Sequence, residues 1–153
     1  FVTKKIINGI KKICLERNNL MNIENNYSKI KLGNLYSKRD WGHAKDYVNA
    51  MWLMMQNNLP KDYVVSMNKT YSIKEFVEKA FKFKGIDIIW EGKGIEEKGR
   101  DLSSNKILVE IDSRYFRPLE VDLLIGDSRK IRDELNWKPE FDTLDKLIEE
   151  MFN

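Results

Sequence analysis

One arginine and one glutamate in the segment Arg-Pro-Leu-Glu could bind a phosphorylated ligand. Arg117 and Glu120 lie about one turn apart, and Pro118 stiffens the backbone between them. A guanidinium donates forked, charge-assisted hydrogen bonds to phosphates, and a carboxylate accepts hydrogen bonds from ribose hydroxyls. The pair could therefore hold a nucleoside diphosphate, although its spacing alone favours a surface salt bridge.

Three other patterns resemble catalytic or cofactor motifs. Tyr27 and Lys31 have the Tyr-x-x-x-Lys spacing, but they lead into a predicted strand and do not lie on a helix. The glycines of residues 92–99 have the wrong spacing for a phosphate-binding turn, and a charged surface turn explains them better. His43 is the only histidine, and no Ser, Cys or paired carboxylate is tied to it by sequence, so we expect a structural hydrogen bond there. We predict neither a catalytic residue nor a metal ligand.

Composition limits the class of protein. The 153 residues are 42% hydrophobic and include 27 basic and 24 acidic side chains, a net charge of +3 that does not require a nucleic-acid partner. The single cysteine, Cys14, cannot form an internal disulfide, and no apolar run is long enough to cross a membrane. We expect one cytoplasmic, globular domain without membrane or nucleic-acid partners.

Two helices are predicted in the first third of the chain. Val2, Ile6, Ile10 and Ile13 recur with the period of one helical face. Residues 43–58 are also helical, but their apolar side chains point in almost every direction around the axis, so this helix should be covered on all sides. All four tryptophans, which lie in apolar surroundings, are expected to pack in the core.

Strands and helices alternate along the rest of the chain. Strands are predicted at residues 30–33, 62–67, 87–90 and 107–111, with a charged loop at residues 91–105. Ser72 and Glu75 have the spacing of a capping box, and the helix they begin should stop at Gly85. Further helices are predicted at about residues 127–135 and from about residue 142. The pattern indicates a single α/β domain.

The chain begins with Phe1 and enters a predicted helix at once. Because a chain that starts inside an element is typical of a fragment, we expect this sequence to be part of a longer protein.

Three blocks of sequence resemble a known family. They are FVTKKI at residues 1–6, LGNLYSKRDWGHAKDYVNAMWLMMQ at residues 32–56, and RYFRPLEVDLLIGD at residues 114–127. In this order, and with LNWKP at residues 135–139, they resemble the C-terminal part of the GDP-mannose 4,6-dehydratases, which are extended short-chain dehydrogenase/reductase proteins. The Asn-rich stretch at residues 20–28 is longer than the family's usual connection.

The resemblance implies an activity for the parent protein. Members of the family use NADP to oxidise C4 of the mannose in GDP-mannose, eliminate water across C5 and C6, and return the hydride to C6. The product, GDP-4-keto-6-deoxy-mannose, is the precursor of fucose and related deoxy sugars. The family's catalytic residues and glycine-rich cofactor turn precede FVTKKI. The resemblance therefore implies that the N-terminal NADP-binding Rossmann half is absent and that this chain alone is inactive.

The resemblance also assigns binding roles to five residues. It implies that Arg117 contacts the diphosphate and Glu120 the ribose. Arg39 resembles the family's second nucleotide-contacting arginine. The alternative is that Arg39 forms a structural ion pair with the next residue, Asp40. Val2 and Lys5 match positions that line the nucleotide.

Finally, the resemblance implies which surfaces have partners. The helix at residues 43–58 and the strand at residues 62–67 should pack into the dinucleotide-binding sheet of the missing half, so the chain alone should expose a large apolar patch. The parent is expected to be a homo-oligomer. Two alternatives stay open, a non-catalytic module that binds a GDP-sugar and a nucleic-acid binder that uses the basic face of the first helix.

Overall fold

The chain forms five α-helices, seven short strands and one 3-10 turn within residues 1–18 and 27–153, which the computed structural model describes. In chain order these are α1 (Val2–Asn18), β1 (Ile30–Leu32), β2 (Lys38–Arg39), α2 (Ala44–Met55), β3 (Tyr71–Ser72), α3 (Ile73–Phe83), β4 (Ile88–Glu91), the 3-10 turn (Gly94–Glu96), β5 (Lys98–Asp101), β6 (Ile107–Ile111), β7 (Leu123–Leu124), α4 (Arg129–Leu135) and α5 (Leu144–Phe152).

The strands form two sheets. The larger sheet has the order β1-β6-β5-β4, in which β1 runs parallel to β6 and the other neighbours are antiparallel. The smaller sheet has the order β3-β2-β7, in which β2 is antiparallel to β3 and parallel to β7. Its register places Arg39 opposite Leu124, so the small sheet joins two of the three sequence blocks.

The main core lies between the larger sheet and helices α1, α3 and α5. The predicted apolar face of α1 is buried, with Ile6 and Ile10 fully inaccessible to solvent. The capping box at the start of α3 is confirmed, because the Ser72 hydroxyl accepts from the Glu75 N–H at 3.1 Å and the Glu75 carboxylate accepts from the Ser72 N–H at 2.6 Å. Helix α3 ends as predicted just before Gly85, whose φ of +71° favours glycine.

A second, smaller core joins α2 to α4 and the chain that follows it. Ala50 and Trp137 are buried there. The Trp137 indole donates to the backbone carbonyl of Asp46 at 3.1 Å, and the buried Asp46 carboxylate accepts from the backbone N–H groups of Glu140 and Phe141 at 2.7 and 3.0 Å. One face of α2 is therefore fixed to the rest of the domain.

The other face of α2 is exposed. The side chains of Val48, Met51, Trp52 and Met55 are 62%, 57%, 59% and 83% accessible. The prediction that Trp52 packs in the core is therefore wrong for this chain, since no described element covers this side of the helix. The large apolar patch expected for the chain alone is present.

The predicted strand at residues 62–67 is not formed. The segment pairs with no strand in the part of the chain that the structure describes, and Val64 is 54% exposed. Its β-branched residues favour extended backbone, but a strand also needs a neighbour whose backbone it can pair with. Side chains hold it instead, as where the Met67 N–H donates to the Asp40 carboxylate at 2.8 Å.

The charged loop predicted at residues 91–105 contains the 3-10 turn and β5. The residues of β5, KGRD, have no apolar side chain to indicate a strand, but Gly99 and Asp101 are buried between β4 and β6.

The predicted strands at residues 30–33, 87–90 and 107–111 are confirmed as β1, β4 and β6, and the predicted last two helices as α4 and α5. Of the Asn-rich stretch at residues 20–28, all but the last two residues lie outside the described residues. No helix in the described ranges is both long and apolar enough to cross a membrane.

Candidate functional site

A cavity of about 510 Å³ brings the three sequence blocks together. It opens between the start of α1, the end of β1, strand β2 and the irregular segment before β7. All five residues predicted to bind the ligand line it, namely Val2, Lys5, Arg39, Arg117 and Glu120. The fold thus gathers side chains from segments far apart in the sequence around one space.

Arg39 and Glu120 form an ion pair at the wall of this cavity. Arg39 Nη2 donates to Glu120 Oε1 at 2.8 Å, and both side chains are about four-fifths buried, at 22% and 19% exposure. Arg39 Nη1 also donates to the carbonyls of Lys38 and Val121 at 2.8 and 2.7 Å. The guanidinium is therefore fixed in position before any ligand arrives.

This pairing differs from both salt bridges that sequence spacing offered as alternatives. Arg39 does not pair with Asp40, whose carboxylate accepts instead from the backbone N–H groups of Met67 and Asn68 at 2.8 and 3.1 Å. Arg117 does not pair with Glu120. Its guanidinium makes no hydrogen bond or ion pair with any residue that the structure describes, and it is exposed at the cavity.

Sequence reasoning missed Asn34, which fixes the Arg117 backbone. Asn34 Nδ2 donates to the Arg117 carbonyl at 2.9 Å, and Asn34 Oδ1 accepts from the Arg117 N–H at 2.8 Å. Asn34 is the second residue after β1, following Gly33, and it lines the cavity itself. The only signal for this contact was the place of an asparagine in a matched sequence block.

Tyr115 was also missed. The Lys5 ammonium lies 3.4 Å from the centroid of the Tyr115 ring, a cation–π contact, and forms no ion pair within the described ranges. The ring lines the cavity and is 48% exposed. Val2, which is partly buried against the main core, adds an apolar wall beside it.

The turn that leads from β6 to Tyr115 is held by Asp112. Its carboxylate accepts from the side chain and the backbone N–H of Arg114, and these hydrogen bonds keep the pKa of Asp112 well below its usual range. Its backbone carbonyl accepts from the Tyr115 N–H at 2.9 Å. Asp112 therefore stays ionised and shapes the segment that carries the cavity residues.

The charges of the cavity suit an anionic ligand. The cavity holds three cationic side chains against one carboxylate, so it has a positive excess suited to an anion. Among the described residues that line it, none is a Ser, Cys or His side chain. As predicted, His43 has a structural role, because its Nδ1 accepts from the Lys45 N–H at the start of α2 and its ring packs on Phe141. Among the described residues there is no cluster of side chains suited to a metal ion.

The other candidate motifs lie outside the cavity. Lys31 of the Tyr27–Lys31 pair belongs to strand β1, where its ammonium lies 3.5 Å from Glu110. Residues 92–97 form the connection between β4 and β5, with the short 3-10 turn in place of a helix, and residues 98 and 99 already belong to β5. The basic face of α1 is partly neutralised, since Lys12 pairs with Glu16. The Tyr27–Lys31 pair and residues 92–99 therefore lie apart from the residues of the cavity.

Comparison with solved structures identifies the class of fold. RMD from Pseudomonas aeruginosa, solved with NADPH, matches 99% of the chain with a TM-score of 0.67 at 14% identity. UDP-glucose 4-epimerase from Bifidobacterium longum, solved with NAD+ and UDP, matches 99% of the chain with a TM-score of 0.65 at 15% identity. The chain covers 41% and 38% of those structures. The chain therefore has the fold of about two-fifths of each of these Rossmann-type proteins, which confirms the predicted α/β class.

Sequence comparison identifies the family. The family model described as GDP-mannose 4,6 dehydratase matches residues 1–151. The GDP-mannose 4,6 dehydratases of Cricetulus griseus and Homo sapiens are 48% and 47% identical over 151 residues, which is 99% of this chain and 38% of each relative. The Sinorhizobium fredii enzyme is 44% identical over 97% of this chain and 40% of its own length. The chain belongs to the GDP-mannose 4,6-dehydratase family and spans about two-fifths of the length of these relatives.

Proposed function

We propose that this chain is the sugar-nucleotide-binding portion of a GDP-mannose 4,6-dehydratase, and that the cavity is its GDP-mannose site. The convergence of Val2, Lys5, Arg39, Arg117 and Glu120 on one cavity carries the proposal. The family resemblance predicted all five from the sequence, and the four charged ones supply the cations and the carboxylate that a nucleoside diphosphate requires. The whole protein would convert GDP-mannose to GDP-4-keto-6-deoxy-mannose, a step toward GDP-fucose and other deoxy sugars.

Each charged residue has a role in this proposal. The free guanidinium of Arg117 and the ammonium of Lys5 bind the diphosphate, whose two phosphates each carry a negative charge. Arg39 is held by Glu120 and adds a fixed positive charge beside them. Glu120 accepts a ribose hydroxyl at Oε2, which receives no hydrogen bond from the residues that the structure describes.

The cofactor must bind elsewhere in the whole protein. We infer NADP because related folds have been solved with NADPH or NAD+. The described residues do not fit it, since none of their helices begins at a glycine-rich turn that follows a strand, as a dinucleotide pyrophosphate requires. The cofactor and the catalytic groups are therefore assigned to the remainder of the protein, and this chain alone would turn over nothing.

The exposed face of α2 is the proposed contact with that remainder. The unpaired segment at residues 62–67 lies beside it in the sequence and would add a strand to the dinucleotide-binding sheet. We further propose that the parent is cytoplasmic, in line with the single cysteine, and that it is a homo-oligomer, as the family resemblance implies.

Steady-state turnover of GDP-mannose by the complete protein tests this function. Arg117→Ala should raise KM about 10- to 100-fold, because a charge-assisted hydrogen bond to phosphate is lost. Arg129→Ala is the matched control, since Arg129 is an exposed arginine of α4 that pairs with Asp127 outside the cavity. Binding of GDP-mannose without turnover would favour the non-catalytic module. Equal KM values for the two variants would contradict the site.

A further inference from the structure

The position of the Arg117 guanidinium depends on very few contacts. Its side chain is unpaired within the described residues, so it is placed only by its backbone. The next residue, Pro118, has no N–H to donate, and Leu119 is 98% exposed. Between the turn at Asp112 and the ion pair of Glu120, the backbone hydrogen bonds of this segment come from the Asn34 side chain.

We propose that Asn34 is a positioning residue that sets where the Arg117 guanidinium enters the cavity, an inference that rests on the proposed function. Its amide donates to the Arg117 carbonyl and accepts from the Arg117 N–H, at 2.9 and 2.8 Å. This two-bond pairing spans 83 residues of sequence and ties the end of β1 to the segment before β7. Phosphate binding at Arg117 thereby depends on a side chain in another sequence block.

The chemistry of the pairing requires an amide of this length. A side-chain amide both donates and accepts in one plane, whereas aspartate at this position would place a carboxylate oxygen against the Arg117 carbonyl. Alanine would leave both backbone groups of Arg117 without a protein partner. Close approach is possible because Gly33 lacks a Cβ, which would lie 2.0 Å from the Tyr115 carbonyl oxygen.

A double-mutant cycle in the complete protein tests this role. We expect Asn34→Ala to weaken GDP-mannose binding, measured by calorimetry, roughly tenfold, because two hydrogen bonds that hold Arg117 are lost. In an Arg117→Ala background the same substitution should have almost no further effect. Asn34 should also act on KM while kcat stays within about twofold, because its partner binds the part of the ligand that does not react.

Asn68→Ala is the matched control. Asn68 also uses its side chain to hold a distant backbone group, accepting from the Ser128 N–H at 2.7 Å, but it does not line the cavity. It should lower the melting temperature without changing the affinity for GDP-mannose. Should Asn34→Ala fail to fold, Asn34→Asp should show the same coupling to Arg117, with faster hydrogen exchange at the Arg117 amide.

Two results would overturn the inference while leaving the proposed function in place. One is unchanged affinity after substitution of Asn34, and the other is an equal loss with and without the Arg117 side chain, which would mean that Asn34 acts independently. A complete, unmutated protein that does not bind GDP-mannose would instead overturn the proposed function, and this inference with it.

Discussion

The cationic side chains of the cavity are prepared for a ligand in different ways. Arg39 is held by one carboxylate and two carbonyls, so its charge is fixed and partly offset. Lys5 rests on the Tyr115 ring, and Arg117 is anchored only by its backbone. A diphosphate would therefore meet one rigid cation and two that can move toward it, which reduces the entropy cost of binding only in part.

Substitution of Gly33 should disturb this arrangement directly. A Cβ there would lie 2.0 Å from the Tyr115 carbonyl oxygen and 2.6 Å from its carbon, so the backbone of the segment that carries Arg117 must shift. We expect Gly33→Ala to lower the free energy of unfolding by about 1 to 3 kcal/mol and to weaken GDP-mannose binding. Chemical denaturation and calorimetry on the complete protein would measure the two effects.

Gly85→Ala serves as the control for that prediction. A Cβ at Gly85 meets no heavy atom within 4 Å, but φ is +71°, so the change should cost about 1 kcal/mol of stability through backbone strain. Because Gly85 lies at the end of α3, away from the cavity, affinity should not change. Unaltered binding in Gly33→Ala would mean that the contact with Tyr115 does not position the site.

Sequence motifs identified five of the residues that line the cavity, but not the contacts that hold them. Arg117 and Glu120 were predicted from their types and from the family resemblance, and they do line one cavity. Their pairing was beyond the sequence, because Arg39 reaches Glu120 across 81 residues while spacing suggested only near neighbours. The contact of Asn34 with the Arg117 backbone was missed for the same reason, since local sequence carries no information on contacts between distant segments.

The helices and strands show where hydrophobic periodicity and intrinsic propensity determine the structure and where they do not. Helices α1, α3 and α5 were predictable because each has a continuous apolar stripe that faces one core. Strand β5 was not, because its place between two neighbours, rather than its polar sequence, makes it a strand. Residues 62–67 have the opposite property, with strand-forming side chains but no paired neighbour in the described part of the chain.

The capping box of α3 should give stability that depends on pH. The hydrogen bond from the Ser72 backbone N–H lowers the pKa of Glu75 below its usual 4.5, against the opposing effect of desolvation. The folded state thus favours the ionised form, so this stabilisation is complete above the unfolded pKa and is lost as pH falls through the folded value. Denaturation of Glu75→Gln and the unmutated protein should give free energies that converge between about pH 5 and pH 3.

The substitution Ser72→Ala tests whether the pH-dependent stability comes from the capping box of α3. It removes the hydroxyl that accepts from the Glu75 N–H and should cost about 1 kcal/mol at neutral pH. If the difference in unfolding free energy between Glu75→Gln and the unmutated protein stayed constant down to pH 3, which is about one and a half units below the usual pKa, the Glu75 carboxylate would not be stabilised by its contacts.

At the scale of the whole molecule, one side of the domain is well packed and the other exposes apolar side chains to solvent. The main core and the second core are packed, whereas α2 presents Val48, Met51, Trp52 and Met55 to solvent. Apolar patches of this kind mark contact surfaces. Copies of the isolated 153-residue chain should therefore associate through this face. In the complete protein, the remainder should cover it.

Sedimentation of the isolated chain would test this expectation. We expect self-association that Trp52→Lys weakens, because it places a charge in the apolar patch. Leu119→Lys is the control, since Leu119 is 98% exposed and lies outside that patch. A monodisperse monomer with a sharp, cooperative thermal transition would count against a role for α2 in covering another domain.

A crystal structure of the complete protein with GDP-mannose tests the central claim most directly. The proposal predicts the nucleotide in the cavity, with Arg117 and Lys5 within hydrogen-bond distance of the diphosphate oxygens and a ribose hydroxyl on Glu120. Asn34 should still pair with the Arg117 backbone. A nucleotide bound elsewhere, with Arg117 still exposed and unpaired, would contradict the assignment of this cavity as the GDP-mannose site.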